Sequence, residues 1–149
     1  MIAKEIMNRD FSYVLSSDSA CQALNILFSK NINILPVVDL ENKLVGVFSE
    51  SDVLRAMLPG YVEKIGEYTY EENPKFMQKK LAAFDSIQVK DIMRTDIISV
   101  SEDTKVYEIA RTMLIQKLSC VIVVNQEKKI LGVISRAEIL KFFFRFYKD

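Results

Sequence analysis

Histidine is absent from this sequence of 149 residues, and glycine occurs only four times. The lack of histidine excludes catalysis by a serine or cysteine paired with that residue, and it removes the commonest transition-metal ligand. The sequence also contains no glycine-rich phosphate loop and no cluster of metal-ligating residues, so only carboxylate or lysine chemistry would remain for an enzyme. We therefore expect a protein that is not an enzyme and that requires neither a metal nor a cofactor.

Cysteine is scarce, and neither sign of charge is in excess. Cys21 and Cys120 lie far apart in apolar segments, which predicts buried thiols in a reducing compartment instead of a disulfide. Twenty lysines and arginines balance 20 aspartates and glutamates, so no overall charge attracts nucleic acid or an anionic membrane. We see no signal peptide and no aliphatic run long enough to span a bilayer. We expect a cytoplasmic protein with no nucleic-acid or membrane partner.

Much of the sequence is present twice. Gly132 follows Gly46 by 86 positions (132 − 46), and a shift of that size pairs residues 3–57 with residues 89–143 without a gap. The best-matched stretches are "KEIM" (4–7) with "KDIM" (90–93), "VVD" (37–39) with "VVN" (123–125) and "GVFS" (46–49) with "GVIS" (132–135). Gapless self-similarity of this length indicates a duplicated structural unit.

Each copy predicts the same order of elements. A short extended lead-in segment comes before an amphipathic helix in each copy. It includes "KEIM" (4–7), Phe11 and Ser12 in the first copy, and "KDIM" (90–93) and residues 95–97 in the second. The apolar residues at helical spacing are Ala20, Ala23, Leu24, Leu27 and Phe28 in the first copy and Val106, Ile109, Ala110, Met113 and Leu114 in the second. Asp18 or Ser19 is positioned to cap the first of these helices, and Asp103 the second.

A hairpin and a closing helix complete each copy. The β-branched runs at 34–39 and 120–125 predict buried strands, and short polar turns join them to second strands at 43–49 and 129–135. The closing helices are predicted from Glu50 to Leu58 and from Arg136 to about Tyr147. The order β-α-β-β-α predicts an α+β fold, and because one such unit alone is marginal, the two should pack together with pseudo-twofold symmetry.

Residues 59–88 match neither copy. This division gives repeat 1 at 1–58, a helical connector at 59–88 and repeat 2 at 89–149. Within the connector, Asn73 and Pro74 indicate the start of a helix that runs to about Phe84, with Met77, Leu81 and Phe84 on one side. A connector lying on the module, a lid and a partner-docking arm all remain open.

Taken in order, these features resemble a tandem pair of cystathionine beta-synthase (CBS) domains, the regulatory pair often called a Bateman module. The resemblance covers nearly the whole chain except the connector. It rests on "KEIM" and "KDIM", on "ALNILFSKNINILPVVD", and on "LVGVFSESDVL" and "LGVISRAEIL". It implies two clefts, frequent dimerisation, and the sensing of adenosine compounds such as AMP, ADP, ATP, S-adenosylmethionine or cyclic di-AMP.

The resemblance also implies a ligand site in each repeat. The family's binding pattern is matched in full by the first copy, from Gly46 through Ser49 and Ser51 to Asp52, where Asp52 would bind the ribose hydroxyls and Ser49 the phosphate or ribose. Ile34, Leu35, Pro36, Phe11 and Ser12 would line the adenine. The second copy keeps Ser135 but has Glu138 in place of the aspartate. Its lining residues would be Val121, Ile122, Thr95, Asp96 and Ile97.

A purely structural interpretation competes for both motifs. Ser135-x-x-Glu138 matches a capping box, and Ser49-x-x-Asp52 is a version of it with a shorter acidic arm. Such a cap stabilises a helix by about 1 kcal/mol and needs no ligand. The duplicated context favours a ligand role for Asp52, whereas for Glu138 the two interpretations stay open.

The residues next to the serines give the two sites different charges. Glu50 would oppose a polyphosphate in the first site unless Arg9 or Lys4 compensates for its charge. Arg136 suits phosphate oxygens in the second. We therefore expect the second site to prefer the more charged end of a ligand and the first to prefer nucleoside recognition.

The C-terminal segment "KFFFRFYKD" (141–149) has too many aromatic residues for one face of a helix. We expect some of them in the core and the rest in a homodimer contact, because exposed apolar patches mark interfaces. The function that these observations favour is a non-catalytic sensor of an adenosyl ligand that signals to an unknown partner protein in trans. The alternative is a structural or protein-interaction module with empty clefts.

Overall fold

The computed structural model describes residues 1–58 and 74–148, apart from the side chains of residues 74, 76, 77, 80 and 146–148. The elements are α1 (Ala3–Ile6), β1 (Val14–Leu15), α2 (Ala20–Lys30), β2 (Ile34–Val38), β3 (Leu44–Ser49), α3 (Glu50–Met57), α4 (Pro74–Phe84), α5 (Val89–Ile92), β4 (Ser99–Val100), α6 (Val106–Ile115), β5 (Cys120–Val124), β6 (Ile130–Ser135) and α7 (Arg136–Lys148). The predicted α+β fold, with a helix, two strands and a closing helix in each copy, is confirmed.

The strands form two sheets of three, in the orders β1-β2-β3 and β4-β5-β6. The short first strand pairs in parallel with the second in both sheets, as Val14 with Val37 and Ser99 with Ile122. β5 and β6 are antiparallel, with a register shift next to Val124. Each closing helix starts at the residue after the last strand of its sheet, so the end of that strand sets the position of the helix N-terminus.

The chain divides into two compact units that do not coincide with the two repeats. The repeat-1 unit consists of Val14–Asp39 and Val45–Thr95, and the repeat-2 unit of Met1–Tyr13, Leu40–Leu44 and Asp96–Asp149. The first lead-in segment therefore belongs to the repeat-2 unit, and most of the second belongs to the repeat-1 unit. The two copies have exchanged their lead-in segments.

The two hydrophobic cores show the same exchange. Ala3 and Met7 from the first lead-in segment are buried beside Ile109 and Ile134 in the core of the repeat-2 unit. Val89 from the second lead-in segment is buried beside Leu27 and the other core residues of the repeat-1 unit. Because burial of apolar surface is the main favourable term in folding, each unit is stabilised by a segment from the other copy.

Two details of the predicted elements need correction. The lead-in segments are not extended throughout, since each begins with one helical turn, α1 or α5. The prediction that Asp103 caps the second amphipathic helix was wrong. That helix starts at Val106, and its first amide donates to the carbonyl oxygen of Met1 at 3.0 Å, so a backbone group takes the place of a side-chain cap.

Ser19 does cap the first amphipathic helix, as predicted. Its hydroxyl oxygen accepts from the amides of Cys21 and Gln22, at 3.2 and 3.4 Å. Asp18 instead accepts from the amide of Leu15 at 2.9 Å, which closes the turn before the helix. The predicted connector helix is also present and ends at Phe84, as expected.

The apolar side chains of the connector helix differ in their burial. Phe84 is buried in the core of the repeat-1 unit, whereas Leu81 is exposed. Asn73 and the side chain of Met77 lie outside the described residues. Within the described part of the chain, no helix combines the length and apolar character that crossing a membrane requires.

Candidate functional site

The two repeated glycines lie where a lead-in segment approaches a strand. A Cβ atom on Gly46 would lie 2.7 Å from both the carbonyl oxygen of Arg94 and the sulfur of Met93, and on Gly132 it would lie 2.9 Å from the carbonyl oxygen of Asn8. Such distances leave no room for a side chain. Gly46 is part of the predicted ligand pattern, and in the structure both glycines leave room for the exchanged lead-in segments.

Asp52 lies in the first turn of α3 and is only 1% exposed. It is the one buried charged side chain among the residues that the structure describes. One carboxylate oxygen, Oδ2, accepts from the backbone N–H of Ser49 at 2.8 Å and from the Ser49 hydroxyl at 3.2 Å. These bonds are the acidic arm of a capping box, so the structural role considered for this motif is present.

Arg55 is bonded to the other carboxylate oxygen of Asp52. Its guanidinium donates from Nη2 to Oδ1, and the two side chains form an ion pair at i, i+3 spacing on α3. The carboxylate is buried, but the arginine side chain is 52% exposed. Arg55 was not among the predicted site residues, although an arginine three positions after an aspartate on a helix is a recognisable signal in sequence.

The second motif has the same arrangement with a longer arm. Glu138 Oε2 accepts from the backbone N–H of Ser135 at 2.9 Å and from the Ser135 hydroxyl. Glu138 is only partly buried, and within the described residues it forms no salt bridge. Arg136 is exposed and lines an apolar groove between α6 and α7 together with Lys117.

The remaining predicted site residues are divided between the two units. Ile34, Leu35 and Pro36 lie in β2 of the repeat-1 unit, while Phe11 and Ser12 belong to the repeat-2 unit. Val121 and Ile122 lie in β5 of the repeat-2 unit with Asp96 and Ile97, whereas Thr95 belongs to the repeat-1 unit. Leu35 and Val121 are fully buried in their cores, so only their backbone groups are available to a ligand.

Both cysteines are free thiols and are half-buried, less than predicted. Burial, followed by the negative charge of Glu138, raises the pKa of Cys120 to about 11. Burial also raises the pKa of Cys21, with a further contribution from Asp85, whose Oδ1 accepts a hydrogen bond from the thiol at 3.3 Å. Both thiols are therefore protonated at neutral pH. No group of three acidic, cysteine or histidine side chains in the described ranges is arranged to hold a metal ion.

Two curated relatives match nearly the whole chain but are much longer proteins. Homoserine O-acetyltransferase of Methanococcus vannielii is 29% identical over 138 residues, which cover 93% of this chain and 24% of the relative. Inosine-5'-monophosphate dehydrogenase of Methanocaldococcus jannaschii is 27% identical over 139 residues, which cover 93% of this chain and 23% of the relative. The chain thus spans about a quarter of the length of these two enzymes.

A solved structure matches over the full module. The CBS domain pair of protein MJ0100, crystallised with 5'-methylthioadenosine and S-adenosyl-L-methionine, is 26% identical, with a TM-score of 0.70. The match covers 96% of this chain and 95% of that one. The family model for the CBS domain matches twice, at residues 3–59 and 89–145. Two copies of this domain make up most of the sequence, and the chain belongs to the CBS domain family.

Proposed function

We propose that this chain is a non-catalytic regulatory module that binds an adenosine-containing ligand and signals its presence to another protein in trans. The observation that carries the proposal is the buried carboxylate of Asp52 in the first turn of α3. A buried charge is costly unless it is compensated, and its position matches the ribose-binding aspartate of the family. The structure of MJ0100 with two adenosyl compounds, at 26% identity, supports the ligand class.

The proposed binding mode uses groups that already surround Asp52. Vicinal ribose hydroxyls would donate to the carboxylate in place of the Ser49 hydroxyl and the Arg55 guanidinium, while the Ser49 amide keeps its bond. Arg55 is half exposed, so it can move away and leave a carboxylate oxygen free for the ligand. The partial positive charge at the start of α3 stabilises the Asp52 carboxylate, whereas Glu50 at the first position of the helix opposes a phosphate group nearby.

The proposed signal requires a ligand that favours one state of the module over another. In the repeat-1 unit, β3 leads directly into α3 and bonds to the second lead-in segment through Val47 and Arg94, in both directions at 2.9 Å. A shift at the start of α3 can therefore reach this segment through one strand. Two enzymes that share this module at about a quarter of their length, 24% and 23%, support a regulatory role.

For the second repeat we propose a ligand site with weaker ribose recognition and a stronger preference for phosphate. Glu138 is one methylene longer than aspartate and is bonded to Ser135. Arg136 at the first position of α7 is exposed and can turn toward phosphate oxygens, whereas the equivalent residue in the first repeat, Glu50, repels them. ATP should then distinguish the two sites better than adenosine does.

The alternative, a structural module with empty clefts, is favoured by one specific observation. Both oxygens of Asp52 already have protein partners, and none of the buried side-chain polar atoms in the described residues lacks a hydrogen bond. In this interpretation Asp52 and Glu138 are helix caps and nothing more.

Thermal unfolding with a panel of adenosyl compounds separates the two functions. A ligand at 100 times its dissociation constant stabilises the folded state by about 2.7 kcal/mol, and calorimetric titration gives its affinity and stoichiometry. Asp52→Asn keeps the shape of the side chain and should weaken binding about tenfold or more, whereas Asp103→Asn, an exposed control, should not. A panel without any stabilising compound would favour the structural module.

We also propose that the module is a homodimer. Leu54 on α3 and Leu140 on α7 are large apolar side chains that are 63% and 53% exposed. Exposed apolar patches mark protein–protein interfaces. Sedimentation equilibrium of the wild-type chain measures this association directly. A monomer at micromolar concentration would contradict it and leave the ligand proposal untouched.

A further inference from the structure

Arg55 is the exposed partner of a carboxylate that solvent does not reach. The side chain of Asp52 is 0% exposed, whereas that of Arg55 is 52% exposed. The guanidinium of Arg55 donates to Asp52 Oδ1, and Oδ2 accepts from the backbone N–H and the hydroxyl of Ser49. The oxygen that does not serve the capping box is thus bonded to a side chain that lies half in solvent.

This arrangement places Arg55 in competition with the proposed ligand. A carboxylate has two acceptor oxygens, and a pair of vicinal ribose hydroxyls uses both of them when each hydroxyl donates to one oxygen. Because the carboxylate is fully buried, a ligand hydroxyl reaches it only after a covering group moves. The backbone N–H of Ser49 is fixed at the end of β3, whereas the guanidinium is carried by a long side chain that can leave.

We propose that Arg55 is the gate of the repeat-1 site, an internal competitor that must leave Asp52 before the ribose of a ligand can bind. This inference rests on the function proposed above and adds the residue that sets the affinity of that site. The apparent dissociation constant is the intrinsic one divided by the fraction of molecules in which the gate is open. An ion pair with one exposed partner is weak, so the gate lowers the affinity by about fivefold or less and still admits the ligand.

The second repeat has no equivalent gate in the part of the chain that the structure describes. Lys141 takes the position of Arg55 there (141 − 86 = 55), and it is exposed. Glu138 forms no salt bridge with any described residue, and both of its bonds to Ser135 use Oε2. A lysine ammonium also lacks the planar fork with which a guanidinium pairs with a carboxylate. The competitor is therefore specific to the first site, and Lys141 provides a matched control.

The gate gives ligand binding an unusual dependence on salt. Salt screens an ion pair that has an exposed partner, so it should open the gate. Adenosine carries no charge at neutral pH, and its own contacts with the protein include no ion pair that salt could weaken. Its binding to the wild-type chain should therefore become tighter as the salt concentration rises.

Calorimetric titration with adenosine tests the gate. Arg55→Met keeps a long unbranched side chain without the cation, and it should bind adenosine about fivefold more tightly than the wild type. Lys141→Met should leave the affinity unchanged. A rise from about 0.05 M to about 0.5 M salt should tighten wild-type binding about twofold and have no such effect on Arg55→Met. In an Asp52→Asn background, Arg55→Met should give no gain, because the gate acts through that carboxylate.

Each other outcome has a definite meaning. Equal affinities of Arg55→Met and the wild type would overturn the gate and leave the ligand site intact. Weaker binding by Arg55→Met would also overturn it, because the arginine would then be a ligand contact instead of a competitor. A gain that persists in the Asp52→Asn background would show that Arg55 acts elsewhere. Failure of every variant, including Arg55→Met, to bind adenosine would reject the adenosine site itself and the gate with it.

Discussion

Asn8 and Val133 exchange two backbone hydrogen bonds, at 2.8 and 3.0 Å, and Arg94 and Val47 exchange the equivalent pair at 2.9 Å in the other unit. Each pair joins the lead-in segment of one copy to the last strand of the other copy. The exchange explains why neither repeat is complete alone, because its own lead-in segment serves the other unit. The duplicated sequence therefore encodes one interdependent CBS pair.

The repeated glycines should be intolerant of alanine. In Gly46→Ala the new methyl group would meet the carbonyl oxygen of Arg94 and the sulfur of Met93, both at 2.7 Å. The methionine side chain can move, but the backbone carbonyl is held by its bond partner Val47. We expect a loss of about 1–3 kcal/mol in the free energy of unfolding, measured by urea denaturation.

Gly132→Ala provides the matched test in the other unit, where the contacts are Asn8 and Met7 at 2.9 Å. We expect a similar loss there. Adding Met93→Ala to Gly46→Ala should recover only part of the stability, since the carbonyl contact persists. Full stability of Gly46→Ala would contradict the close approach of the second lead-in segment.

Removal of the Asp52 carboxylate should cost more stability than removal of the Arg55 guanidinium that pairs with it. Asp52→Ala leaves the Ser49 amide at the start of α3 without its acceptor, a loss of about 1–2 kcal/mol. Arg55→Ala removes a half-exposed partner, and an ion pair of this kind contributes about 0.2–1 kcal/mol. Urea denaturation of both variants compares the two losses in the free energy of unfolding. A larger loss for Arg55→Ala would show that the ion pair contributes more stability than the capping bond.

Regular periodicity made the elements of each repeat predictable. The spacing from Ala20 to Phe28 is local information, and α2 forms where that spacing places it, with Ala23 and Leu27 buried. The lead-in turns, α1 and α5, are four residues long and too short to show a helical period. Asp103 was the wrong cap because the carbonyl of Met1, remote in sequence, satisfies the first amide of α6.

The exchange of lead-in segments was not predictable from one sequence. The self-alignment is equally satisfied whether a segment packs on its own copy or on the other, since both copies present a similar surface. For the same reason the close approach of the Arg94 backbone to Gly46 was not predictable, and the ligand role of Gly46 stays a prediction. The bond between Ser49 and Asp52 was predictable from their motif. The pairing of Asp52 with Arg55 was missed, although their i, i+3 spacing on a helix indicates it.

Two lysines of the second copy have a left-handed backbone conformation, and asparagine occupies the equivalent positions of the first copy in the same conformation. Lys117 has φ of 56°, and its counterpart Asn31 at the end of α2 has φ of 53°. Asparagine tolerates this region better than lysine, so Lys117→Asn should stabilise the protein by about 0.5–1 kcal/mol and Asn31→Lys should destabilise it by a similar amount.

The hairpin turns contain a second such pair. Lys128 and Asn42 have φ of 64° and 67°, away from the helix ends, so Lys128→Asn controls for effects specific to helix caps. Thermal unfolding at one protein concentration compares all three variants. If neither lysine replacement raises the midpoint, the left-handed lysines are not a source of strain.

Cys120 should react slowly with alkylating reagents in the folded protein. Its pKa is raised to about 11, chiefly by burial and secondly by the charge of Glu138, so at pH 8 only about one thiol in a thousand is the reactive thiolate. In a Cys21→Ala background, iodoacetamide labelling followed by mass spectrometry isolates this thiol. Glu138→Gln removes the negative charge and should speed labelling, whereas Glu127→Gln, an exposed control on the hairpin, should not. The raised pKa also makes folding depend on pH, because the neutral thiol is favoured in the folded state and its stabilising contribution is lost as the pH rises from 9.0 toward 11. Labelling of Glu138→Gln at the rate of the Cys21→Ala parent would show that burial alone controls this thiol.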